Sequence, residues 1–294
     1  MNRSKGINIE RNIKWIFPLP TVLFIFLMMI FPICYTFYIS LTDWNIASII
    51  GTSFIGLDNY IDLFQEPRFY NALALTLYFT FLAVGVEVVL GVVMALILNQ
   101  DFRGKNVVKF LLLLPMVATP VAIGLAWTLF YEPTIGLANY ALKILGVPAS
   151  EWLASRTMVI PSLALVDIWQ WTPMIALIVL AGLASLSTEA FESAVVDGAN
   201  WLQILRYVTL PLLRPTILIA VVLRSIEALK TFDIIYVMTA GGPGYASETL
   251  NIYCYHLSFG YFRFGAAGSA LIALFALVLG FSLLVLWLRR RYEV

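Results

Sequence analysis

Charge is what this sequence has least of. Of its 294 residues only 12% are charged and 61% are hydrophobic, where a soluble chain of this length carries roughly twice that charged fraction. No soluble domain is visible in it. The net charge of +1 supplies neither a basic surface for nucleic acid nor an acidic one. Histidine occurs once, as His256, with no Cys, Asp or Glu at ligand spacing, and is read as an interfacial side chain. Cysteine occurs twice, at Cys34 and Cys254. Two isolated thiols permit at most one disulfide and form neither a framework nor a metal site. There is no glycine-rich phosphate loop ending in Lys-Ser/Thr and no nucleophile–base constellation. The chain is therefore expected to carry no catalytic residues, no metal and no cofactor of its own.

What is there in abundance is long apolar runs. About 20 mostly apolar residues are needed to cross a hydrocarbon core about 30 Å thick. Six stretches qualify, at 13–40, 73–98, 107–131, 158–185, 213–239 and 265–288, and predict an all-α integral membrane protein. The first is too long for a removable signal peptide and has no small-residue cleavage site, so it is read as a permanent span. Lys14 and Trp15 open it with a charge and an interfacial aromatic. Pro115 and Pro120 predict bends in the third span. With the N-terminus in the cytoplasm, twelve basic residues fall inside: Arg3, Lys5, Arg11, Lys14, Arg103, Lys105, Lys109, Arg206, Arg214, Arg289, Arg290 and Arg291. Only Arg68, Lys143, Arg156 and Arg263 fall outside. This asymmetry predicts that both termini are cytoplasmic, in a multi-pass protein of the plasma (inner) membrane. The expected organisation is a tail, first helix and outer loop over 1–72, a five-helix core over 73–288, and a basic tail over 289–294.

The longest cytoplasmic connection, 186–212, is the most informative. Ser187 is placed to cap a helix that carries Glu189 in its first turn. Phe191, Ala194 and Val195 share a face at helical spacing beside Glu192 and Asp197. Gly198 supplies a turn. A second short helix with Leu202, Leu205 and Val208 is predicted to stop at Pro211. Two short amphipathic helices outside the membrane form a docking element suited to a partner's groove.

That connection resembles the coupling loop of ABC-importer permeases, E-A-A, three residues, G, nine residues, I-x-L-P. Glu192, Ser193 and Ala194, then Gly198, then Val208, Thr209, Leu210 and Pro211 keep the spacing, with Ser193 for Ala and Val208 for Ile. Asp197, Gly198 and Ala199 resemble the D-G-A of the sugar-importing branch. Phe54 through Tyr60 resembles the F-x-G-L-D-N-Y of maltose-type and glycerol-phosphate-type permeases. Phe232, Asp233 and Tyr236, followed by Gly241, Gly242 and Pro243, resemble their F-D-x-I-Y and G-G-P. The resemblance implies a type I importer permease of six transmembrane helices, working by ATP-driven alternating access. It also implies a second homologous permease, two ATPase subunits that bind ATP and Mg, and an extracytoplasmic solute-binding protein. Membrane lipid is the remaining partner. The imported solute it implies is a carbohydrate or polyol, with glycerol phosphate as the alternative. An ion-gradient carrier working through Asp167, Glu227 or Lys230 would have no use for such a loop.

Ionisable residues inside a membrane are candidates for function. In the fourth span Asp167, Trp171 and Met174 lie at i, i+4 and i+7 on one face, flanked by Gln170. In the fifth, Arg224, Glu227, Ala228 and Thr231 form a comparable face. At 1.5 Å per residue, Trp171 and Glu227 lie about 17–18 Å from the cytoplasmic ends of their spans, at the depth where transporter sites occur. The resemblance carries solute-facing positions onto Asp167, Trp171, Met174, Arg224, Ala228 and Thr231. The competing reading is packing, with Arg224–Glu227 or Glu227–Lys230 neutralised as i,i+3 pairs.

Overall fold

The computed structural model describes residues 17–47 and 51–292. Arg3, Lys5, Arg11, Lys14 and Trp15 lie outside the described residues, as do the side chains of Arg289, Arg290 and Arg291. Among the described residues the structure is helical, with two isolated antiparallel bridges and no strand. The helices α1 (Leu19–Ser40), α3 (Pro67–Asn99), α7 (Val159–Ala184) and α13 (Phe264–Tyr292) each contain a segment long and apolar enough to cross a bilayer. The helices α4 (Lys105–Val117) and α5 (Pro120–Phe130) form a fifth such segment, bent by 97°. The 20-residue helix α10 (Leu210–Leu229), which carries Arg214, Arg224 and Glu227, is not among these segments. Shorter helices are α2 (Asp58–Gln65), α6 (Leu137–Ile144), α8 (Glu189–Val196), α9 (Trp201–Ile204), α11 (Asp233–Thr239) and α12 (Leu250–Tyr255).

Three expectations are corrected here. The third span is not one bent helix: Ala118 and Thr119 are extended, at ψ 147° and 141°. A residue before proline is driven out of the helical region, and Pro120 then opens a new helix. Pro115, by contrast, is carried inside α4. The fifth span does not run to 239. It stops at Leu229 and resumes as α11 after Lys230, Thr231 and Phe232. Pro211 stops nothing. The chain stays helical from α9 through a π turn at Leu205–Thr209 into α10. Pro211 follows that π turn inside the continuous helix.

The chain divides into two units. One comprises residues up to Gln65 with His256–Ala273. Here Asn59 donates from Nδ2 to the carbonyls of Ser40 and Thr42, and the Tyr60 hydroxyl lies 2.6 Å from Ser40 Oγ. The Asn59-Tyr60 end of the outer motif thus ties down the C-terminus of α1, whose last carbonyls have no helical partner. Most of α1 itself is exposed apolar surface, as suits a helix solvated by lipid.

The other unit is Glu66–Tyr255 with Leu274–Val294. Its centre is the pair α3 and α7, with α10 against both. Small residues set the approach. A Cβ on Gly91 would meet Ile175 at 2.7 Å, and one on Gly182 would meet Thr216 at 2.7 Å. Between lipid-solvated helices, packing of this kind is a main source of association. Phe79, Ala83, Leu163 and Val166 continue the seam, and Ile234, Ile235 and Met238 bring α11 onto it. The segment after the Gly-Gly-Pro is held by Arg68, whose Nε and Nη2 each donate to the buried Glu248 at 2.6 Å while its guanidinium lies over Tyr245.

Candidate functional site

Residues from three helices meet in the interior of the larger unit. Arg224 of α10 is 1% exposed, Asp167 of α7 is 1% exposed and Glu87 of α3 is 0% exposed. Arg224 Nη2 donates to Asp167 Oδ2 and, at 3.2 Å, to Glu87 Oε1, while its Nε lies 2.7 Å from Glu87 Oε2. The guanidinium centre stands 5.6 Å from the Trp171 ring. A rigid planar fork of donors can serve two carboxyls at once. Of the two alternative i,i+3 pairs, Glu227–Lys230 forms and Arg224–Glu227 does not. Glu227 pairs with Lys230 at 3.1 Å, and both are exposed.

Beside this junction lies a cavity of about 180 Å³ lined by Asp167, Trp171, Arg224, Glu227 and Thr231, and closed by residues 230–234 and Pro120. Five of the eight residues singled out for the solute path thus share one cavity wall. The other three do not line it. Gln170 is buried and its Nε2 donates to the carbonyl of Ala118 at the α4–α5 break. Met174 is half-buried further along α7, and Ala228 is buried. Sequence reasoning missed Glu87. A lone carboxylate in an apolar run was the signal available, and it marks a functional or paired residue by default.

At the other end of α10, α8 is terminated by Gly198 at φ +77°. Gly198 N–H bonds the Val195 carbonyl and Ala199 N–H the Ala194 carbonyl, at 3.0 and 2.9 Å. This is a Schellman closure, which satisfies carbonyls left over at a helix end and favours glycine. Asn200 and Gln203 then form a capping box that starts α9. The expected apolar face is corrected in one position: Phe191 and Ala194 are half-buried, but Val195 is exposed. The reason is the direction of α8, which lays Phe191 into a groove with Leu96, Leu183 and Trp201. Glu192, Ser193, Asp197 and Gly198 are all exposed, Val196 is 86% exposed, and Ala199, Leu210 and Pro211 are half-buried.

The family described as binding-protein-dependent transport system inner membrane component matches residues 87–294. The chain belongs to that family. It is an integral membrane, multi-pass permease of the type I importer fold. A probable ABC transporter permease protein of Sinorhizobium fredii is 39% identical over 98% of this chain and 92% of its own length. A trehalose/maltose transport system permease protein of Thermococcus litoralis is 37% identical over 92% of this chain and 90% of its own. Among solved structures, a bacterial alginate ABC transporter in complex with an alginate pentasaccharide-bound periplasmic protein superimposes with TM-score 0.84. It covers 97% of this chain and 96% of that chain at 23% identity. At that identity the likeness is one of fold.

Proposed function

We propose that this permease translocates a carbohydrate or polyol, taken from an extracytoplasmic binding protein, by ATP-driven alternating access. The observation that carries the reading is the 37% identity, over nearly the whole chain, to a trehalose/maltose permease. The cavity supports it. Trp171 supplies a ring for the C–H faces of a sugar, while Asp167, Glu227 and Thr231 supply acceptors and a hydroxyl. The phosphate-ester alternative is disfavoured by charge: Arg224 is already matched by two carboxyls, and Lys230 by Glu227.

The partners in this reading are a second, homologous permease and two ATPase subunits, which hold ATP and Mg. No bond chemistry falls to this chain. The exposed segment around Glu192, Ser193, Ala194, Asp197, Gly198 and Ala199 docks in the ATPase groove, on the cytoplasmic side together with both termini. Leu210 and Pro211 join it to α10. ATP drives transport because it and the loaded binding protein favour one of two packings of the permease pair. Reconstitution with the genetically linked partner subunits tests this. ATP-dependent uptake of the sugar that copurifies with the binding protein is the expected result. Uptake that persists without ATP and collapses with an uncoupler would replace this reading by a gradient-driven carrier.

A further inference from the structure

We propose that Glu87 and Asp167 share one bound proton, which makes the buried junction of α3, α7 and α10 electrically neutral. The charge count points there first. One guanidinium and two carboxyls meet at the junction, each essentially inaccessible to solvent. Fully ionised, they would leave one uncompensated negative charge in the interior, among the most costly arrangements a protein can hold. Arginine does not yield its proton in proteins, so the adjustment falls to the carboxyls. The other charged side chains around the cavity bring no compensation. Glu227 and Lys230 of the α10 end cancel one another, and Asp233 of α11 adds a further negative charge.

Arg224 Nε lies 2.7 Å from the buried Glu87 Oε2 and is itself a donor, so that oxygen faces no acceptor and the shared proton rests on another oxygen of the pair. The ligand is a proton rather than a metal ion. Arg224 contacts both carboxyls directly, and among the described residues no group of three His, Cys, Asp or Glu side chains is placed to hold a metal ion. The cavity lies directly against Asp167 and Arg224. The proton belongs to the pair and not to either residue.

Infrared spectroscopy tests this on the chain purified, in lipid discs, from a host that carries its partner subunits. No transport is measured, so the outcome is independent of the solute. Wild type is expected to show the carbonyl stretch of a protonated carboxylic acid at neutral pH, fading reversibly as the pH is raised. Glu87→Gln and Asp167→Asn are each expected to remove that band entirely, because either leaves a single neutral ion pair with Arg224. The wild-type titration reads the same band with no substitution at all. A wild type with no such band, or a band that survives in either variant, overturns the proposal.

Discussion

The position of Arg224 shows what a local reading of sequence reaches and where it stops. Its carboxylate neighbour at helical spacing, Glu227, pairs with Lys230, the other i,i+3 partner that the sequence offered. Its own carboxyls come from 57 and 137 residues away. Nothing in helix periodicity reports such a pairing, because it depends on which faces of α3, α7 and α10 are brought together by Gly91 and Gly182. Trp171 and Asp167 were legible, since i and i+4 on one helix is a local relation. The proposed role of Trp171 is testable at the same scale. Loss of one stacking or hydrogen-bonding contact is worth about 1–2 kcal/mol, hence roughly a tenfold effect or somewhat more. Trp171→Ala is expected to reduce uptake by that factor while ATP hydrolysis stimulated by the loaded binding protein largely survives. Unchanged uptake would return Trp171 to packing against Arg224.

Among the elements, α8 and α9 were the most legible, and for a physical reason. A turn glycine such as Gly198 fixes local geometry without help from tertiary structure. The helix joining them to the membrane was less so. Pro211 reads as a stop, but the π turn before it absorbs the missing hydrogen bond and lets the helix run on. The second short helix, α9, which follows the docking segment across Gly198, and the helix bearing Arg224 are therefore continuous from Trp201 to Leu229, about 43 Å at 1.5 Å per residue. In the proposed mechanism a pull at one end reaches the other through an unbroken rod. Gly198 has open space around its missing Cβ, so a side chain there meets no clash and is opposed only by the positive φ. Such a backbone strain costs roughly 1–2 kcal/mol, enough to turn α9 relative to α8 without unfolding the permease. Gly198→Asp and Glu192→Lys are thus expected to reach the membrane at near-normal amounts, yet to abolish uptake and release the ATPase in detergent. Quantitative blotting with pull-down of the ATPase checks both, and normal uptake in the two variants would remove the docking role from this segment.

For the molecule as a whole, six apolar runs gave the class of protein, but composition could not place the breaks at 118–119 and 230–232. Those follow from proline stereochemistry and from residues whose polar backbone is tolerated in the membrane only where it is buried in protein or lines a cavity. The cavity beside Arg224 is lined by Pro120 and by residues 230–234, next to both breaks. Orientation rests on a different quantity, the basic residues, which favour the side that holds the docking segment twelve to four. The exposed Val196 and Trp201 belong to that same connection, and in the proposed assembly the ATPase covers them. Both thiols present, Cys34 and Cys254, are replaced by serine or alanine before the test, and a single cysteine is placed at the exposed Asn200. A membrane-impermeant maleimide is expected to leave it unlabelled in intact cells and to label it in inside-out vesicles, more weakly once the ATPase is bound. Labelling in intact cells would invert the topology and with it the assignment of 186–212 to the ATPase.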